Sequence, residues 1–294
     1  MRPANNKKPN LYLSLSLKVI LPFSLLFFLL VLLGRSSFPP TRPAEEEELH
    51  QHQQQQQPKC RQSVSDICSK IPPSLSRAIA HYAALNVTPQ QTLDEIGVTL
   101  RVLERRSPCN LLVFGLGIDS LMWASLNHNG RTVFLEEDRG WIQQVREQNP
   151  SLESHHVVYD TKLTQAAELL ETGRQERECS VVVDPRRSKC KLSLGDRLPR
   201  EVYDLEWDVI MVDAPTGYFE GAPGRMKAIY TVGLMARNRE SGETDVFVHD
   251  VNRAVEHQFS MAWLCEGYLR EEVGRLRHFT IPSHRTREGR SFCP

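Results

Sequence analysis

Residues 111–138 read LLVFGLGIDSLMWASLNHNGRTVFLEED, and this stretch decides the fold class. The run at 111–114 is apolar, branched and aromatic, and it stops at Gly115. A helix-like stretch starts at Ser120, and a second short run, 132–135, ends in Glu136, Glu137 and Asp138. Short apolar strands separated by one helical segment indicate parallel strands buried on both faces, with helices crossing between them. In such a sheet ligands sit beyond the carboxyl ends of the strands, so the residues directly after each run carry the chemistry.

The alternation extends in both directions. Upstream, residues 74–85 have helical spacing. Thr88 as N-cap, Pro89 at the first position and Gln91 at the third predict a further helix, running to Arg106 and closed by Pro108. Downstream, strands are expected at 155–159, 208–212, 245–248 and 276–281. Helices are expected through Trp141 and Val145, then at 166–170, 223–235 and 252–264. Residues 173–200 form a polar insert carrying Cys179 and Cys190, which are expected to pair. The architecture this predicts is α/β, a mostly parallel central sheet flanked by helices.

Gly115 and Gly117 let the backbone turn tightly after the first strand and approach a ligand, with Asp119 in the same turn. Glu136, about twenty residues further on, is placed to accept both ribose hydroxyls of an adenosine ligand. An acidic helix start is the other reading of 136–138, and it suits Glu137 and Asp138. Position 120 is Ser, not the third Gly of a phosphate-binding G-x-G-x-x-G. A nucleoside-bearing donor such as S-adenosyl-L-methionine therefore fits better than a nicotinamide dinucleotide.

After the fourth strand comes Asp213, and after the fifth come His249, Asp250 and Asn252. Neighbouring strands would bring Asp213 and Asp250 face to face. With Asn252 they offer oxygen ligands to a hard divalent cation, whose identity stays open. A sugar-like hydroxyl is a poor nucleophile at neutral pH; a metal can lower its pKa, or His249 can take its proton. Both aspartates can instead cap the turns that follow them. The loop at 216–225, rich in glycine and aromatics, offers Tyr218 as a flat sugar contact and Arg225 as a bidentate partner for a carboxylate. Arg253 is a second candidate, whereas Arg275 and Arg277 read as surface charges.

Of 294 residues, 36 are Lys or Arg and 36 are Asp or Glu. A zero net charge excludes a general nucleic-acid binder, which needs a basic footprint. Residues 11–33 are apolar enough and long enough to span a bilayer, and Arg2, Lys7 and Lys8 precede them. They predict a cytosolic tail at 1–10, an uncleaved signal anchor at 11–33 and a lumenal body; a cleaved signal peptide is the alternative. Residues 34–70 hold Glu45 to Glu48 and Gln53 to Gln57, a composition that reads as a disordered stem before a folded domain at 71–294. Seven cysteines without a C-x-x-C pattern fit an oxidising lumen, and the odd number leaves at least one thiol without an intrachain partner. Asn86 heads the single glycosylation sequon.

Four stretches, FGLGIDSLMWASLNHNGRTVFLEED, WDVIMVDAPTGYFEGAPGRM, ETDVFVHDVNR and GRLRHFTIPS, occur in that order. Together they closely resemble the glucuronoxylan 4-O-methyltransferases, plant Golgi enzymes of a polysaccharide-biosynthesis family. The resemblance runs from about Leu75 to Pro294, with the same anchor-and-stem layout before it. It implies a Rossmann-like S-adenosylmethionine-dependent methyltransferase fold. It further implies methyl transfer to O-4 of glucuronic acid on xylan, and a divalent cation consistent with Asp213 and Asp250. A single-pass Golgi membrane protein with a lumenal catalytic domain, working beside other xylan-synthesis enzymes, is the expected setting. The donor motif of the wider methyltransferase class is only partly present, since Val113 and Asp119 take its outer positions. Related proteins act on glucuronic acid of arabinogalactan, and others serve xylan assembly without established transferase activity; these are the alternatives.

Overall fold

The computed structural model describes residues 70–84, 91–286 and 291–294. The expected tail at 1–10, anchor at 11–33, stem at 34–70 apart from its last residue, and the Asn86 sequon lie outside the described residues. Among the described residues no helix is long and apolar enough to cross a membrane.

Two helices lead into the sheet, α1 (Pro73–Ala84) and α2 (Leu93–Arg106). The N-cap of α2 is Thr92 rather than the expected Thr88. Thr92 and Glu95 close a capping box, in which the Glu95 carboxylate accepts from the Thr92 N–H at 2.6 Å and the Thr92 hydroxyl from the Glu95 N–H at 3.3 Å. Strands and helices then alternate: β1 (Asn110–Phe114), α3 (Ser120–Leu126), β2 (Arg131–Glu136), α4 (Arg139–Gln148), β3 (Glu153–His156) and α5 (Ala166–Gln175). After a short helix α6 (Arg200–Tyr203) come β4 (Val209–Val212), α7 (Met226–Asn238), β5 (Glu243–Val248), α8 (Ala254–Ser260), β6 (Leu269–Val273) and β7 (Leu276–Pro282).

The seven strands lie in the order β3-β2-β1-β4-β5-β7-β6. Those from β3 to β5 are parallel, while β7 is antiparallel to β5 and to β6. The mostly parallel, Rossmann-like architecture is the expected one, with three corrections. The third strand starts two residues before position 155 and ends at His156. α8 stops at Ser260, and the chain continues through a π turn, Met261–Cys265. β6 was not foreseen, because LREEV is a half-exposed edge strand whose charges protect its open side.

Strand residues alternate between two cores. Leu112, Phe114, Ile210, Val212, Val246 and Val248 pack with α7, α8 and the insert; Leu111, Val113, Val209, Met211 and Phe247 pack with α2 and α3. The insert is stapled by the expected Cys179–Cys190 disulfide. Cys265–Cys293 fastens the C-terminal residues to the π turn that follows α8. Cys109 is the free thiol among the described residues, and burial pushes its pKa up to about 12.

Register sets the site. Leu135, Phe114, Val212 and Val248 form one row across β2, β1, β4 and β5. The next residue on each strand is Glu136, Gly115, Asp213 and His249. The ladder runs one step past the row, through Gly115 N–H to Leu135 O (2.8 Å), Asp213 N–H to Phe114 O (2.9 Å) and His249 N–H to Val212 O (3.1 Å). The connections from β1 onward lead to opposite sides of that strand, to β2 on one and eventually to β4 on the other. The crevice at their carboxyl ends is therefore a topological switch point.

Candidate active site

A cavity of about 630 Å³ opens at this switch point. Its wall includes Gly115, Gly117, Asp119, Glu136, Asp213, Tyr218, Arg225, His249, Asp250 and Arg253. Ten of the eleven residues singled out in the sequence thus share one cavity. Asn252 is the exception: it is exposed and outside this wall, although Val251 just before it is buried.

The turn after β1 is built for close approach. Gly115 has φ of +123°, a backbone conformation that side-chain-bearing residues rarely adopt, so glycine belongs there. The Leu116 N–H donates to Glu136 Oε2 at 3.1 Å, and the Leu116 carbonyl accepts from the indole N–H of Trp141. Glu136 also accepts from the N–H groups of Glu137 (2.8 Å) and Asp138 (3.0 Å). Burial raises its pKa, against the pull of these three N–H donors. A carboxylate has about four acceptor sites, so one direction remains for a ligand hydroxyl. Asp119 accepts from the Trp123 indole at 2.8 Å, and burial, with the charge of Asp213, raises its pKa. Asp138 caps α4, as expected of a helix start, whereas Glu137 reaches across to hold Thr216 by its N–H (2.9 Å) and hydroxyl (2.6 Å). A flat indole, a preset glycine turn and an acceptor at the end of β2 suit a nucleoside-bearing donor.

Asp213 and Asp250 do converge, but on a guanidinium. Arg225 Nη2 lies 3.2 Å from Asp213 Oδ1 and 2.9 Å from Asp250 Oδ2. Its Nη1 donates to the His249 carbonyl at 2.9 Å. Arg225 is 4% exposed, so its expected role as a partner for the substrate carboxylate does not hold. Its Nε donates to the Pro215 carbonyl at 3.3 Å and Nη2 serves both carboxylates, so the guanidinium braces the two aspartates. His249 lies against Asp213 Oδ1 at 3.0 Å through Nδ1, while Nε2 is 3.6 Å from Glu95 Oε2 and lacks a hydrogen bond. Burial alone would raise the Asp213 pKa; the His249 hydrogen bond and the Arg225 charge outweigh it and leave the carboxyl below its ordinary value. Asp250 sits at φ of +61°, in the left-handed region that aspartate tolerates better than most residues.

One ligand atom each from Asp213, His249 and Asp250 lie within 4.8 Å of one another. As they stand they do not fit a divalent cation. The Arg225 guanidinium already lies between the two carboxylates, and Asp250 also faces Arg253 Nη2 at 3.0 Å and Arg275 Nη1 at 2.9 Å. Seating a cation there would strand buried guanidinium charge, which costs several kcal/mol.

Sequence reasoning missed four contributors. Gln91 is buried and donates to Asp213 Oδ2 at 3.3 Å. Glu95 is buried beside His249 and accepts from the Arg275 N–H at 2.5 Å. Trp141 and Arg275 line the cavity. The T-x-x-E signature at Thr92 was the available signal for Glu95. Nothing local marks the others. Arg277 is likewise no surface charge: it is buried and bonded to Glu272 at 2.6 Å and Ser260 at 3.1 Å.

The model of the family described as IRX15/IRX15L/GXM matches residues 94–279. Glucuronoxylan 4-O-methyltransferase 3 of Arabidopsis thaliana is 59% identical over 285 residues, covering 96% of this chain and 95% of that one. Glucuronoxylan 4-O-methyltransferase 2 of the same plant is 62% identical over 237 residues, covering 80% and 81%. Arabinogalactan O-methyltransferase 2, also from Arabidopsis thaliana, is 55% identical over 211 residues, covering 70% and 72%.

Proposed function

Given that the chain belongs to the IRX15/IRX15L/GXM family, we propose that it is an S-adenosyl-L-methionine-dependent methyltransferase acting on O-4 of the glucuronic acid side chains of glucuronoxylan. The observation that carries this reading is one cavity joining the Gly115–Glu136 turn to the Asp213–His249 pair. The two glucuronoxylan enzymes align over 96% and 80% of the chain at 59% and 62% identity, against 70% at 55% for the arabinogalactan enzyme, and this favours xylan as the acceptor.

The bound donor supplies a methyl carbon made electrophilic by its sulfonium sulfur. Glu136 and the Gly115–Gly117 turn would hold the nucleoside end, with the Trp141 indole on the same part of the cavity wall. Tyr218, 74% exposed at the cavity mouth and edge-on to Phe219, offers a flat apolar surface to the sugar. Asp213, ionised at neutral pH because its pKa is depressed, accepts the proton of the attacking hydroxyl. A hydroxyl oxygen becomes strongly acidic only as its new bond to carbon forms, so the proton leaves late and a weak base suffices. His249 and Gln91 hold the Asp213 carboxylate in place. No step is routed through a divalent cation, since Arg225 fills its place.

Full-length protein given isotopically labelled donor is expected to methylate glucuronoxylan oligosaccharides in preference to arabinogalactan ones, with the label on O-4 of glucuronic acid by NMR. Preference for arabinogalactan, or transfer to neither, rejects the assignment. The reading extends to a single-pass Golgi membrane protein with its body in the lumen, beside other xylan-synthesis enzymes. It is supported by the apolar run at 11–33 behind Arg2, Lys7 and Lys8, and by two disulfides, which persist in oxidising compartments. Protease added to intact Golgi vesicles should leave residues 71–294 uncut; digestion without detergent rejects this topology.

A further inference from the structure

We infer that Arg253 and Arg275 together form the seat for the carboxylate of the acceptor, with Arg275 setting the preference for a uronate over a neutral sugar. The inference rests on the proposed transfer to glucuronic acid and names the residues that would select it.

Both side chains reach the cavity wall from different elements. Arg253 precedes α8, and Arg275 occupies the β6–β7 turn, next to Gly274. That turn is bound to the site by its backbone: Val251 N–H donates to the Arg275 carbonyl at 3.0 Å, and Arg275 N–H to Glu95. Asp250 then aims both guanidiniums, holding Arg275 through Oδ1 (2.9 Å) and Arg253 against Oδ2 (3.0 Å).

Charge is layered at this wall. The acids lie behind: side-chain exposure is 6% for Asp250, 1% for Glu95 and 0% for Glu256. Arg253 and Arg275 stand in front, with side chains 29% and 39% exposed, against 5% for Arg225. What an incoming sugar meets is thus guanidinium, with carboxylates shielded beneath. Guanidinium pairs carboxylate by parallel hydrogen bonds, which gives orientation as well as attraction. A uronate seated on two arginines beside Asp213 would have its ring fixed relative to the base, which a neutral hexose would not.

The test uses the full-length chain and two acceptors, a glucuronoxylan oligosaccharide and the same molecule with its side-chain carboxyl reduced to a primary alcohol. Wild type should prefer the uronate. In Arg275→Gln the ratio of kcat/KM for the two acceptors should fall about 10- to 100-fold, mainly through KM, and Arg275→Lys should recover part of it. An unchanged ratio, or equal losses on both acceptors, overturns the proposal. If Arg275→Gln does not melt like wild type, Arg253→Gln carries the same comparison. Should wild type methylate neither acceptor, the proposed reaction fails, and calorimetric binding then reads the seat by itself. Tighter binding of the uronate than of its reduced form, lost in Arg275→Gln, sustains the seat; equal binding of the two rejects it.

Discussion

Burial works to raise the Asp213 pKa, yet His249, Arg225 and Gln91 together hold it below the ordinary carboxylate value. Asp213→Asn keeps the shape, removes the charge and offers His249 a poorer partner. Turnover should fall about 10²- to 10⁴-fold, while donor affinity, measured by calorimetry, should stay near wild type. The residues proposed to hold the donor, Gly115, Glu136 and Trp141, come from the ends of β1 and β2 and from α4, whereas Asp213 follows β4. A variant with wild-type turnover would remove Asp213 from the chemistry. At this scale the sequence was legible wherever a residue directly follows a strand: Asp213, His249, Asp250, Gly115 and Glu136 all reach the cavity. Arginines were misread in both directions. Arg225 lies in a glycine-rich loop and looks exposed, yet it is buried by a carboxylate 25 positions away. Arg275 looks like surface charge, yet it lines the cavity. Side-chain burial depends on which distant charges converge, and no local pattern encodes that.

Elements with strong local physics were read correctly. The Cys179–Cys190 link closes the insert over an 11-residue separation, where it joins the core beside Leu192 and Leu194. Replacing both cysteines by alanine should cost about 3 kcal/mol, estimated from the loop entropy restored to the unfolded chain. Urea denaturation of the double variant measures this directly, and a loss under about 1 kcal/mol would mean that core packing alone holds the insert. Boundaries were less legible. The start of α2 was decided by Glu95, whose carboxylate caps the helix and also binds the β6–β7 turn, so a tertiary contact reinforced one of two overlapping capping signatures. β3 and β6 lack the apolar runs of the central strands, since each lies at an edge of the sheet with one side open.

For the molecule as a whole, the order β3-β2-β1-β4-β5 brings the ends of four strands to one crevice. Everything proposed for the reaction depends on that. By itself the sequence determined the α/β class, the positions of the central strands and the residues at their carboxyl ends, because a strand buried on both faces must be apolar and must stop at polar or glycine residues. It also pointed to the Cys179–Cys190 pair, which the folded chain then joined. Only the tertiary structure decided the antiparallel β7–β6 edge, which carries Arg275 to the site, and the enclosure of Arg225 between Asp213 and Asp250. It likewise decided that Asn252 stays exposed, outside the cavity wall. These are pairings between charges far apart in the chain, and the energy of such a pair is set by distance and burial, quantities that exist only once the chain has folded.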